Sequence, residues 1–185
     1  MFRWACFAIA TIGAASGCAR TGTAESSMGG GTFTLRDASG RTAGSGELSP
    51  APDGGVRVRL TVTGLPPGAH ALHIHETGAC DTSTSTPFSS AGGHHNPTGR
   101  EHGRLNPAGP HAGDLPNLVV AESGSGTLDV VSQNLSLSEG SGALFDPDGS
   151  AIVIHANADD ERTNQGPDGP GNSGGRIACG VIVRR

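Results

Sequence analysis

The chain has 185 residues, enough for one domain with its own core. With 31 Gly, 12 Pro and only 3% aromatics, many turns and few long helices are expected, and Val, Leu, Ile and Ala are left to build the interior. All twelve basic residues are Arg, the formal net charge is −5, and no basic patch is interleaved with aromatics, so the chain reads as one that does not bind nucleic acid.

Met1-Phe2-Arg3 forms a short positive start, and residues 4–15 are an apolar run too short to span a bilayer well. Ala15-Ser16-Gly17-Cys18 follows and is similar to a bacterial lipobox, in which small residues give a peptidase an uncrowded backbone. Ala15 departs from the Leu more usual there. Two readings stand: cleavage before Cys18 with a lipid on its thiol, or ordinary secretion with cleavage nearby. Residues 1–17 are therefore expected to be a signal peptide and residues 18–30 a lipidated, flexible tether, with the folded domain over 31–185. The tether is rich in Gly, Ser and Thr, with a mean reach of about 20 Å. Export to the cell envelope is expected, with the domain held on the outer face of a membrane or its periplasmic side. Of the four Cys, Cys6 falls in the signal and Cys18 is the lipid candidate, leaving Cys80 and Cys179 as a pair in the domain. An oxidising compartment favours a disulfide between them over two free thiols. Closing a loop of about 100 residues is worth up to about 4.7 kcal/mol.

Residues 32–37 and 42–48 read as an opening hairpin around Ser39-Gly40. Residues 56–63 alternate apolar and polar without a fault, the mark of a half-buried strand. Gly64-Leu65-Pro66-Pro67-Gly68 stops it. Residues 71–76 form the next strand, and a period of two puts His73 and His75 on one face. Residues 117–122 and 127–131 read as a second hairpin around residues 123–126. Residues 151–156 and 176–183 complete a set of about eight short strands, which argues an all-β sandwich or barrel. Two intervals, 77–116 and 157–175, lack strand periodicity. Loops of that length in a compact domain are usually functional, and these contain or border nearly every residue with site chemistry.

Imidazole suits copper and zinc alike. His73, His75 and His155 come from strands, and three or four imidazoles near a plane fit Cu(II). His102, His111 and Asp114 cluster in the first long loop, and three nitrogens with one carboxylate suit tetrahedral Zn²⁺. His94 lies between the two groups in sequence, and as imidazolate it could serve one metal through each nitrogen. His95 is its immediate neighbour, so either of the pair is open as the bridge. Asp159 follows the last strand histidine by four residues. Arg176, charged at any working pH, would draw a small anion beside an open copper position.

Five segments stand in order: Ala71-Leu72-His73-Ile74-His75-Glu76, Gly93-His94-His95-Asn96-Pro97, Gly109-Pro110-His111-Ala112-Gly113-Asp114-Leu115, Ile154-His155-Ala156-Asn157-Ala158-Asp159-Asp160 and Gly175-Arg176-Ile177-Ala178-Cys179-Gly180-Val181-Ile182. Together they resemble copper/zinc superoxide dismutase, over roughly residues 31–183, and point to an exported, lipoprotein-like bacterial member. The resemblance implies a flattened eight-stranded Greek-key β-barrel, immunoglobulin-like in architecture. It implies copper on His73, His75, His94 and His155, and zinc on His94, His102, His111 and Asp114. Asp159 would bond one ligand of each metal, His73 and His102, and His70 would pack and hydrogen-bond beneath the copper ligands. Arg176 would guide superoxide, and His94 would carry a proton in its dismutation to O₂ and H₂O₂. The Gly-His-x-Asn-Pro pattern favours His94 over His95 as the bridge. The resemblance allows a homodimer. The loop 157–175 departs from better-studied members: it has no Lys, and Pro167 and Pro170 stiffen it. The same ligands would also serve an exported metal buffer, or a structural relative that keeps only zinc and the disulfide.

Overall fold

The computed structural model describes residue 1, residues 29–167 and residues 169–185. The expected signal peptide and the Cys18 lipid site lie outside the described residues. The described residues form ten strands: β1 (Gly31–Asp37), β2 (Thr42–Pro50), β3 (Val56–Val62), β4 (Gly68–His70), β5 (Leu72–His75), β6 (Leu118–Val120), β7 (Gly126–Ser132), β8 (Ala151–His155), β9 (Arg176–Val181) and β10 (Val183–Arg184).

The pairing is antiparallel throughout, in the order β4-β6-β7-β3-β2-β1-β9-β8-β5 with β10 beside β1. The two ends of that order, β4 and β5, are consecutive in sequence and meet at Ala71. One stretch of chain therefore belongs to both ends, and the sheet bends round into a nearly closed Greek-key β-barrel. At the switch, Ala71 leaves the β6 side: its N–H donates to Asn157 O and its C=O accepts from His155 N–H. Periodicity reads residues 71–76 as one strand and cannot show this corner. The expected eight strands become ten because of it, and because Ile182 breaks the last strand by turning its N–H to Ser150 O.

Alternation decides what lies inside. Val56, Val58, Leu60 and Val62 of β3 are buried while Arg59 and Thr61 between them are exposed. They pack with Phe33, Leu35, Leu118, Leu144, Ile152 and Ile154. A second, smaller cluster joins Phe88, Ala91, Ala151, Val153 and Cys179 on the other face of β8. It pins the first long loop to the barrel, helped by a disulfide between Cys80 and Cys179. No helix among the described residues is long and apolar enough to cross a membrane.

Candidate metal centre

β5 is buried on both faces. Leu72 and Ile74 face the core, while His73 and His75 face a polar cluster. One edge of β5 pairs with β8. The other edge is covered by the first long loop, which lends it strand-like backbone bonds. Ile74 N–H donates to Gly113 O at 2.9 Å, and Ile74 O accepts from His95 N–H at 2.8 Å. Glu76 N–H donates to Gly93 O at 3.0 Å, and Leu72 O accepts from Leu115 N–H at 3.3 Å. A buried edge must find such partners. In finding them it carries His94 alongside His75 and Asp114 alongside His73.

Ligand atoms of His73, His75, His94 and His155 all lie within 4.8 Å of one another. Each ring commits one nitrogen elsewhere. His75 Nδ1 donates to Gly92 O at 3.0 Å, and His155 Nδ1 to Gly174 O at 3.1 Å. His94 Nδ1 lies 3.0 Å from Asp114 Oδ1, and His73 Nε2 lies 2.7 Å from Asp159 Oδ2. The nitrogens left over are Nε2 of His75, His94 and His155 and Nδ1 of His73. His73 Nδ1 is fully buried with no hydrogen-bond partner, a costly arrangement unless a metal takes its lone pair. Nε2 of His75 and Nε2 of His155 stand 3.4 Å apart. Burial, with the neighbouring histidines adding to it, pushes the pKa of His73 down to about 3. Burial likewise lowers His75 well below its ordinary value and His155 to about 4. All three rings are neutral at pH 7, with lone pairs ready for a cation.

The second set converges on one oxygen. Asp114 Oδ1 lies 3.0 Å from His94 Nδ1, 3.1 Å from His102 Nδ1 and 3.4 Å from His111 Nδ1, and the last is 3.3 Å from His94 Nδ1. Zinc bonds of 2.0–2.1 Å in a tetrahedron demand ligand separations of about 3.3 Å. The donors therefore fit zinc in chemistry and spacing. His73 also comes within 4.8 Å of His94, His102 and Asp114, but its Nε2 is bonded to Asp159 and its bare Nδ1 belongs with the first set. Asp114 Oδ2 is held by the N–H groups of Gly103 and His111, at 2.9 and 3.0 Å, which turns Oδ1 to the rings. Burial would raise this carboxyl's pKa, but the hydrogen bonds from His102, His111, His94 and Gly103 hold it well below the carboxylate range. Burial opposes charge on His102, yet Asp114 and Asp159 overcome it and raise the ring to about 9.

Asp159 lies between the sets, with Oδ2 at His73 and Oδ1 3.0 Å from His102 Nε2. His70 sits beneath, its ring nitrogens 2.8 Å from His155 O and 2.9 Å from Pro66 O. His94 is 5% exposed in its side chain and borders a cavity of about 360 Å³ shared with His75, His155, Gln165, Pro170 and Arg176. Arg176 donates to Phe88 O and Gly92 O, both at 2.5 Å. Phe88 is buried beside the disulfide, so the bridge and its apolar plug fix the carbonyls that hold the guanidinium. Sequence reasoning passed over Phe88, although an isolated aromatic in a Ser/Thr-rich loop is a signal. His95 joins neither set; it is 4% exposed, its Nε2 buried without a partner. Asn117 and Gly171 also went unmarked, and both touch Asp159.

A family model described as "Copper/zinc superoxide dismutase (SODC)" matches residues 42–182. The chain is 44% identical over 150 residues to "Superoxide dismutase [Cu-Zn] 2" of Aquifex aeolicus, covering 80% of this chain and 83% of that one. It is 43% identical over 154 residues to "Superoxide dismutase [Cu-Zn]" of Caulobacter vibrioides, covering 82% and 84%. Among solved structures, a double mutant of a SOD-like protein from Bacillus subtilis superposes with a TM-score of 0.75 at 41% identity, over 82% of this chain and 96% of that one. The Cu/Zn superoxide dismutase from Brucella abortus gives 0.65 at 29% identity, over 83% and 99%.

Replacing His94 by Ala is expected to abolish copper and zinc binding together, whereas His95→Ala retains both by metal analysis; equal losses would reverse the assignment. Zinc needs a neutral His102, and the metal-free ring keeps its proton until about pH 9. Zinc affinity of the metal-free protein should therefore rise about tenfold per pH unit between pH 7 and 8.5. Calorimetry in buffers of different ionisation enthalpy would read that released proton.

Proposed function

The chain belongs to the copper/zinc superoxide dismutase family, and from that premise we propose that it removes superoxide within the cell envelope, held to a membrane through a lipid on Cys18. The reaction is the dismutation of superoxide to O₂ and H₂O₂ with copper and zinc as cofactors. Supporting the envelope reading are the lipobox-like Ala15-Ser16-Gly17-Cys18, the residue 1–17 signal pattern and a disulfide suited to an oxidising compartment. In this reading residues 18–30 are the tether and residues 31–185 the catalytic domain.

The observation that carries the chemistry is the convergence of His73, His75, His94 and His155 on a cavity that Arg176 also lines. His73, His75, His94 and His155 would hold copper, and His94, His102, His111 and Asp114 would hold zinc. Copper, when bound, would supply the one-electron couple that lets one superoxide be oxidised and the next reduced, and zinc would order the donors around Asp114. The residues do the rest. Arg176 is a fixed cation in a chain of net charge −5, and it draws the anion into the cavity and orients it. Burial pushes its pKa down, but a guanidinium remains charged. The two carbonyls that anchor it leave it no freedom to swing onto solvent. His94 is the proton carrier. Its Nδ1 faces Asp114, and its Nε2 would take up one proton and pass it on as superoxide is reduced to H₂O₂. A second proton comes from water. His70, by bonding His155 O, and Asp159, by bonding His73 and His102, keep the rings from turning.

With the metal-loaded protein, pulse radiolysis should show rapid superoxide decay that slows as salt rises. Arg176→Ala should lower the second-order rate constant roughly tenfold or more with copper content unchanged, and Arg176→Lys should restore part of it. Negligible decay in the fully loaded protein would leave only a metal buffer. Mass spectrometry of the membrane fraction should find a diacylglyceryl group on Cys18, and Cys18→Ala should release active protein into the soluble fraction. A soluble, unmodified wild type would sink the anchor.

A further inference from the structure

Asp159 stands between the two donor sets, and it is itself held from two sides by residues with no ligand role. Asn117 follows Asp114 by three residues and immediately precedes β6. Its Nδ2 donates to Asp159 O at 2.8 Å, and its Oδ1 accepts from Asp159 N–H at 2.8 Å. One amide thus pairs both backbone groups of a single residue, as a neighbouring strand would. Only Asn and Gln carry a donor and an acceptor in that arrangement, and Gln is a methylene longer. On the other side Gly171, at φ 64, lies directly against the carboxylate. A β-carbon there would overlap Asp159 Oδ1 and come within 2.8 Å of His102 Nε2. Glu161 N–H adds a third restraint, donating to Asp159 Oδ1 at 2.6 Å.

We propose that Asn117 and Gly171 are positioning residues: together they fix Asp159 so that its two oxygens reach His73 and His102 at once, and so set metal affinity without touching metal. This rests on the ligand assignment above. The two bonds of the carboxylate diverge toward rings of different sets. Shifting the Asp159 backbone toward one ring lengthens the bond to the other, so both persist only at one backbone position. Asn117 defines that position along the chain, and Gly171 clears the space the carboxylate fills. Asn117 also ties the Asp159 loop to the segment that carries Asp114. The second long loop is thereby stapled to the zinc set at both its backbone and its side chain.

The test is zinc affinity by chelator competition in the metal-free protein, for Asn117→Asp, Gly171→Ala, Asp159→Asn and the Asn117→Asp/Asp159→Asn double variant. Asn117→Asp keeps the shape but, ionised, can no longer donate to Asp159 O. Asn117→Asp and Gly171→Ala should each weaken zinc binding by roughly 10–100-fold. The double variant should bind within about two-fold of Asp159→Asn alone, because both changes act through one carboxylate. A merely structural Asn117 would lower the melting temperature while leaving zinc affinity of the folded protein near wild type, or its loss would multiply with that of Asp159→Asn. Either result overturns the proposal. Should Asn117→Asp fail to fold, Asn117→Ser combined with Asp159→Asn makes the same comparison. Failure of the ligand assignment is read separately, as an Asp114→Ala variant that keeps wild-type zinc affinity.

Discussion

The backbone of Ile74 is the constraint on which the centre depends. Its side chain is in the core, and its neighbours His73 and His75 face the metal-ligand cluster. Its N–H and C=O point to an edge of β5 that none of the described strands covers. Buried amides must be paired, so residues 93–95 and 113–115 of a long loop are drawn in to pair them. Those residues include His94 and Asp114. Metal-ligand chemistry is assembled here by ordinary backbone bookkeeping: completing a sheet edge brings both donor sets within reach of each other.

Around that edge, polar groups do the work that regular structure does elsewhere. The first long loop is held by Asp114, whose carboxylate gathers two backbone N–H groups and three imidazoles. The second is held by Asp159, with Asn117 on its backbone and two rings on its side chain. Each carboxylate is buried and each is satisfied, so each locks its loop and removes the rotational freedom of the rings it touches. The cost is that metal-free rings face one another with bare lone pairs, most plainly at His73 Nδ1. A cofactor pair relieves that cost, so metal binding and order in the loops are one free-energy change.

The anion-facing side is built differently. Among the described residues Arg176 pairs with no carboxylate; its guanidinium is held by two carbonyls. Those carbonyls are steady because Phe88 fills a small apolar cluster with Val153 and Cys179, and the disulfide to Cys80 closes it. A covalent bond outside both donor sets thus bears on how well a cation is aimed.

Much of this was legible in the residues alone. Alternation over residues 56–63 marks a half-buried strand because side-chain period and backbone pleat are both local. The same local rule puts His73 and His75 on one face. The spacing of Gly-His-x-Asn-Pro, of His111 and Asp114, and of His155 and Asp159 identifies a donor set, because metal chemistry restricts which residue types can serve. What only the tertiary structure decided depends on contacts between distant segments. The bend at Ala71 arises because one stretch pairs with β6 and then β8. His94 rather than His95 turns inward because the Ile74 edge takes the His95 backbone. Asn117 and Phe88 acquire their parts from residues 42 and 88 positions away, and Gly171 from a carboxylate across a loop turn, and no local period encodes such partners.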